Sequence, residues 1–409
     1  MKKDTCSGFA YRKAAALSVI LLALALLILL LSSCSLLTGG TDTGAVTTTG
    51  TSQTGPSGGG TPPVTQDVTF DRFLSPDIPS EAGTVVYVAE TAGPSVVSIL
   101  TEAIVYDRYN GSYIESGAGS GVVCYVDEAR NRTYIITNNH VVEGYSGVSV
   151  YKDGSTVEYA AEVIGTDWQT DIAVIAVSGT DFVPALLGNS EQLKRGQEVV
   201  AIGNPLGTLG GTVSAGHIGA LAREVEVEGV TMTLIQHSAE VSPGNSGGGL
   251  FNLYGQLIGI VNAKSTGTGV EGLGFAIPVD LALDRAAQII SQGYVSGTPY
   301  LGISYSSSSS AVVVSSYAYN SELSATNQTT LQNGDILYSL NGVVISEVAD
   351  VRKVLSGVEV GETVEAVFYR AGRFNYSSFT VNLVVHEYLP DWVASDSSAG
   401  GSSGDIEFN

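Results

Sequence analysis

The octapeptide Val241-Ser242-Pro243-Gly244-Asn245-Ser246-Gly247-Gly248 sets one serine among glycines. Glycines let a backbone turn tightly, which projects the Ser246 hydroxyl outward and can aim the N–H groups of Gly244 and Ser246 at a single point. A hydroxyl beside two convergent amides is the equipment of acyl transfer, a nucleophile with an oxyanion hole. A glycine-rich hairpin with an incidental serine has the same composition, so the reading depends on partners elsewhere in the chain.

A serine nucleophile needs a base, and the chain has four histidines. His140 closes Thr137-Asn138-Asn139-His140, where a strand-like run ends and polar residues begin, the setting of a positioned side chain at a strand terminus. His237 is the competitor because it lies close to Ser246 in sequence, while His217 and His386 have weaker contexts. The base in turn needs a carboxylate to fix its tautomer and support its charge. Asp171 opens the apolar run Ile172-Ala173-Val174-Ile175-Ala176-Val177, and Asp167 is the alternative.

Positioning such residues requires rigid elements. Short β-branched runs separated by turn residues read as strands: 95–100, 121–126, 133–137, 148–151, 172–177, 198–202, 232–236 and 256–261. That many short strands with glycine-bearing turns predict an all-β barrel or sandwich. Helical patterning is clear only at 279–292 and 347–355. After Gly297 the character changes, giving a second unit of about 90 residues with strands at 311–314, 336–340 and 363–369. The expected organisation is an export signal or anchor at 1–37, a Thr/Gly/Ser/Pro linker at 38–80, a catalytic domain at 81–297, a small α+β domain at 298–388 and an acidic Ser/Gly tail at 389–409.

The formal charge of −22 becomes −25 when Lys2, Lys3, Arg12, Lys13 and Asp4 are set aside, leaving 14 basic and 39 acidic residues. Nucleic acid and anionic lipid headgroups are excluded as partners of so acidic a body. Membrane attachment must therefore come from the N-terminus, where basic residues precede an uncharged run from Ala14 to Leu31. Leu31-Ser32-Ser33-Cys34 has the form of a lipobox with Cys34 as the lipidation site; retention of the apolar run as a single helix is the alternative. The three cysteines, Cys6, Cys34 and Cys124, define no disulfide framework, and Cys124 reads as a small buried hydrophobe. No Cys/His spacing suggests a metal, and no cofactor is called for.

The order His140, Asp171, Ser246 and the motifs around them resemble the HtrA (Deg) family of trypsin-like serine proteases. The resemblance is carried by Thr137-Asn138-Asn139-His140-Val141-Val142, by Thr166-Asp167 followed by Asp171-Ile172-Ala173-Val174, and by Pro243-Gly244-Asn245-Ser246-Gly247-Gly248. It extends through Ala201-Ile202-Gly203-Asn204-Pro205-Leu206-Gly207 and Gly272-Leu273-Gly274-Phe275-Ala276-Ile277-Pro278, covering about 85–292. It implies two perpendicular six-stranded β-barrels with the triad between them, and a homo-trimer contacting near Val85 to Thr91. Gly249 departs from the family, whose members commonly carry proline there, and is expected to loosen the following turn.

Substrate preference is divided at this level. Glu240, six residues before the nucleophile, would favour Lys or Arg in the pocket for the residue preceding the cut. The resemblance implies small or medium apolar residues, with Ile260 and Val261 as pocket walls. The C-terminal unit resembles a PDZ domain, with Tyr300-Leu301-Gly302-Ile303 as the loop that binds a terminal carboxylate and the 347–355 helix facing an added peptide strand. Together these imply an extracytoplasmic endopeptidase acting on unfolded polypeptides, with C-terminal peptides as second partners. Arg223-Glu224-Val225-Glu226-Val227-Glu228-Gly229 corresponds by resemblance to the family's sensor loop, expected to contact the PDZ-like unit.

Overall fold

A computed structural model describes residues 82–107, 111–204, 211–263, 273–308, 311–317, 331–373 and 375–390. The expected signal, linker and Cys34 lie outside these residues, as does nearly all of the acidic tail. Among the described residues no helix is long and apolar enough to cross a membrane.

Helix α1 (Val85–Ala92) begins where the Thr84 hydroxyl accepts a hydrogen bond from the Tyr87 amide at 3.1 Å, and it buries Val88 and Ala92. Six strands follow: β1 (Val96–Asp107), β2 (Gly111–Asp127), β3 (Arg132–Thr137), β4 (Gly147–Lys152), β5 (Glu158–Asp167) and β6 (Ile172–Ser178). They close into a barrel in the order β1-β2-β3-β6-β5-β4, and a single helical turn, α2 (Asn139–Val142), sits between β3 and β4. The continuous apolar run of β6 follows from burial on both faces. Ala173, Ile175 and Val177 fill the barrel, while Ile172, Val174 and Ala176 join the larger core outside it.

The next strands are β7 (Leu186–Leu187), β8 (Glu198–Gly203), β9 (Thr212–Val227), β10 (Val230–His237), β11 (Gly249–Asn252), β12 (Gln256–Val261) and β13 (Gly274–Pro278). Pairing of β11 with β12 closes six of them into a ring, β11-β8-β9-β10-β13-β12, and β7 adds in parallel to β12 as a seventh strand. Helix α3 (Val279–Gln292) lays Val279, Ala282, Leu283, Ala286, Ile289 and Ile290 into the core shared by both sheets. It ends on Gly293 in the left-handed region, φ +83°, the usual glycine stop.

The C-terminal unit has its own core, from Leu301 to Val385. A short pair, β14 (Pro299–Tyr300) with β21 (His386–Glu387), brackets a sheet of β15 (Ile303–Ser308), β16 (Ala311–Tyr317), β17 (Ile336–Leu340), β19 (Thr363–Ala371) and β20 (Tyr376–Val384), in that order. The two-residue β18 (Val343–Val344) pairs with β17. Helix α4 (Val348–Leu355) starts with a capping box between Glu347 and Asp350 and buries Val351 and Leu355. Trp168, in the β5–β6 turn, packs against this core as well as the shared one.

The expected strands are present, but the sequence reading missed β5, the first part of β9, β11, β13, β15 and β20 and the length of the β1–β2 hairpin. Gly249 also differs from expectation. It opens β11 rather than a loosened turn, and a Cβ there would lie 2.3 Å from the Phe251 ring, so the absent side chain makes room for that ring.

Candidate active site

The site is assembled from the ends of strands in both barrels. Asp171 follows the β5–β6 turn with φ +54°, a left-handed conformation that non-glycine residues seldom adopt. Its carbonyl accepts hydrogen bonds from the Asn139 amide and from Asn138 Nδ2, each at 3.1 Å. Its carboxylate accepts from the His140 amide at 3.0 Å through Oδ1, and through Oδ2 from Asn262 Nδ2 at 2.8 Å. His140 Nδ1 lies 2.7 Å from the same Oδ2. The ring is thus held at both backbone and side chain, and the Nδ1 proton is committed to the carboxylate. Nε2 is left as an acceptor, 3.0 Å from Ser246 Oγ.

His140 occupies the helical turn α2 rather than a strand terminus, because Asn139 and His140 must both face Asp171. The alternative carboxylate, Asp167, is committed elsewhere: it accepts from the Gln169 amide and Thr170 Oγ1 and stands 3.6 Å from Arg285. Burial pushes its pKa up against those hydrogen bonds. The alternative base, His237, is fully buried; its ring nitrogens make no well-formed hydrogen bond, although the backbone of Phe275 and Ala239 stands close to them, and burial pushes its pKa down to about 4.

Ser246 sits in a turn stitched to its surroundings. Gly244 has φ +96° and Gly247 φ +83°. A Cβ on Gly247 would meet Ser120 O at 2.2 Å and Thr137 Oγ1 at 2.3 Å, so no other residue fits that backbone. Ser120 brackets the turn: its amide donates to Ser246 O at 2.8 Å and its hydroxyl to Gly244 O at 2.7 Å. The Ser120 hydroxyl in turn accepts from the Asn204 amide at 2.7 Å. Among the described residues the Gly244 and Ser246 amides donate to no protein acceptor. Sequence reasoning missed Ser120, Asn138 and Asn262. Asn262, a polar residue ending the apolar β12, was the one with a local signal.

The specificity residues separate. Glu240 is exposed, with its carbonyl accepting from Ser214 Oγ at 2.7 Å. Ile260 and Val261 differ from the expected pocket walls, since both are fully buried in packed clusters, Ile260 in the shared core and Val261 inside the second ring. Of the proposed carboxylate loop, Tyr300 pairs with His386, Leu301 and Ile303 are core, and Gly302 has φ +72°. β15 is an edge strand of its sheet.

The acidic hairpin meets the C-terminal unit directly. Arg352 of α4 donates to Glu228 at 2.9 Å and also pairs with Glu143, and Lys353 stands 3.2 Å from Glu226. The Gly229 backbone lies against Ala349, whose carbonyl oxygen would be 2.0 Å from any Cβ at 229. Cys124 is buried as expected; its thiol donates to Tyr134 O, and burial raises its pKa to about 12. Among the described residues no cluster of ligating side chains could hold a metal ion.

Residues 119–260 match the family described as trypsin-like peptidase domain. The chain is 32% identical to the serine protease Do-like HtrB of Bacillus subtilis over 342 residues, covering 75% of this chain and 72% of that protein. It is 36% identical to a probable periplasmic serine endoprotease DegP-like of Halomonas elongata, over 70% of this chain and 59% of that one. A solved structure titled HtrA-type protease AlgWS227A with decapeptide aligns at 26% identity and a TM-score of 0.48, covering 75% of this chain and 98% of that one.

Proposed function

Because the chain belongs to the HtrA (Do-like) family of serine proteases and is a serine-type endopeptidase, we propose that Ser246, His140 and Asp171 hydrolyse peptide bonds through an acyl-enzyme. Ser246 Oγ attacks the carbonyl carbon while His140 Nε2 takes its proton. The Gly244 and Ser246 amides receive the oxyanion, and His140 then protonates the leaving amine. Water repeats the cycle from the other side and restores Ser246. The single observation that supports this assignment is the continuous relay from Asp171 Oδ2 through His140 to Ser246 Oγ, with contacts of 2.7 and 3.0 Å. Asn262 adds a third donor to the carboxylate, beside the His140 amide and Nδ1, and helps to hold its orientation.

The substrates in this reading are unfolded polypeptides outside the cytoplasm. A relative named as periplasmic supports the location, together with the basic and then apolar N-terminus. Attachment is through Cys34 or a single N-terminal helix, and the assembly is a homo-trimer. The C-terminal unit acts as a PDZ-like peptide binder: β15, at the edge of its sheet among the described residues, suits strand addition by a C-terminal peptide. The contacts of Glu226 and Glu228 with α4 support the hairpin as the element that carries this binding to the catalytic turn.

The test is labelling of the full-length protein with a fluorophosphonate probe, followed by mass mapping. The adduct is expected on Ser246 alone. Labelling of another serine, or casein cleavage that survives Ser246→Ala, would overturn the assignment.

A further inference from the structure

A cleft of about 680 Å³ opens beside the catalytic base, with His140, Glu115, Glu143 and Glu228 on the protease side and Glu347 and Arg352 on the α4 side. Of these four glutamates, Glu143 and Glu228 pair with the guanidinium, while Glu347 caps its own helix. Glu143 is held in place from behind, its second oxygen accepting from Asn139 Nδ2 at 3.1 Å, and Asn139 adjoins His140. Glu228 stands at the tip of the β9–β10 hairpin. Between these two carboxylates lies Arg352, only 8% exposed. Burial works against its charge, but Glu143 and Glu228 outweigh that cost and hold its pKa above the ordinary guanidinium value.

Resting on the protease reading above, we propose that Glu143 and Glu228 form a subsite for a cationic side chain of the substrate close to the cut, and that Arg352 occupies it in the unliganded chain. Desolvating a cation costs several kcal/mol unless two well-placed anions replace its water. The buried Arg352 is the observation that this pair meets that requirement for a guanidinium. A carboxylate-bearing segment would meet the opposite field. With Arg352 withdrawn, Glu143 and Glu228 would present their carboxylates to the cleft in its place, so a substrate Lys or Arg is the group that fits. The preference arises beside His140, away from Glu240.

The experiment uses full-length protein and matched peptides that differ at one position near the cut, carrying Arg, Gln or Glu. Both binding, by fluorescence anisotropy on Ser246→Ala, and kcat/KM on the unaltered chain are measured. The Arg peptide is expected to be favoured over Gln by about fivefold, the scale of one partly buried ion pair. Arg352→Gln, which vacates the site, should enlarge that ratio. Adding Glu143→Gln and Glu228→Gln to Arg352→Gln should bring it to one, since the guanidinium and both its carboxylate partners are removed together. Glu198→Gln, an exposed carboxylate elsewhere, should leave the ratio unaltered and so separate a local site from the general acidity of the surface. Equal handling of Arg and Gln by both the unaltered chain and Arg352→Gln would overturn the proposal, as would a ratio that survives the triple substitution. Selective binding without cleavage would sink the hydrolytic reading and spare the subsite, whereas cleavage without selectivity would do the reverse.

Discussion

The surroundings of His140 and His237 make opposite uses of the same side chain. His140 has a partner on each ring nitrogen and an edge on the cleft, whereas the His237 ring is enclosed, with only the backbone of Phe275 and Ala239 beside it and no well-formed hydrogen bond. Around His140 the geometry mostly serves hydrogen bonds: the left-handed Asp171 aims its carbonyl and carboxylate at residues 138–140, and Ser120 brackets the Ser246 turn. Around His237 the reason is volume. A Cβ on Gly274 would lie 2.3 Å from the ring, so the glycine and the imidazole share one space across β10 and β13. Burial makes a histidine neutral; only oriented partners make it a base.

The most severe test of this contrast is Ser246→Ala. It should lower kcat/KM by about 10⁴-fold or more while the unfolding midpoint moves little, because the change removes one hydroxyl from a turn held by other bonds. A variant that retains substantial activity breaks the assignment of that whole region. Next comes the direct exchange of roles. His140→Ala should cost activity on a similar scale with modest loss of stability, while His237→Ala should keep activity within about tenfold and lose about 2–4 kcal/mol to the cavity it opens. Chemical denaturation and peptide kinetics on both variants decide it, and the reverse pattern would exchange their functions.

A smaller effect sharpens the same comparison through pH. The folded chain holds His237 at about 4, below the ordinary value of about 6.5, so the unfolded chain takes up the proton first. The stability associated with the neutral ring is fully present above about pH 6.5. It falls by up to about 1.4 kcal/mol per unit as pH drops toward 4, where the folded form begins to protonate too. Melting temperatures measured from neutral pH down to about pH 4.5 should show this slope, reduced in His237→Gln. An unchanged slope in that variant would place the acid sensitivity on other groups.

The grouping of Ser246, His140 and Asp171 was legible because each carries its own local signal: glycines around Ser246, the polar run before His140, the apolar run that Asp171 opens. The residues that hold it were not legible in the same way. Ser120 reaches Gly244 across 124 positions and Asn262 reaches Asp171 across 91, distances at which only the closed barrels bring them together. The α2 turn was hidden because Val141 and Val142 favour strands, and tertiary bonds to Asp171 override that preference. β9 was legible only at its end, where glutamates alternate with Val225 and Val227 as in a half-exposed strand; its earlier residues are small and mostly exposed and show no such alternation. Arg352 has the sequence context of a solvated helix face, and nothing near it in the chain announces Glu143 or Glu228.

The approach of Gly229 to Ala349 gives the molecule a steric lever that is independent of charge. Main chain meets main chain there, so an added methyl group would force one of the two backbones to shift, and no long side chain can swing aside to absorb it. Ion pairs between the same two elements can be retuned by salt, by acidity or by a neighbouring substitution. A glycine whose missing Cβ is already occupied by another backbone offers no such gradation. For anyone wishing to part the two units at will, or for a lineage drifting toward independent ones, position 229 is a two-position switch written in a single codon.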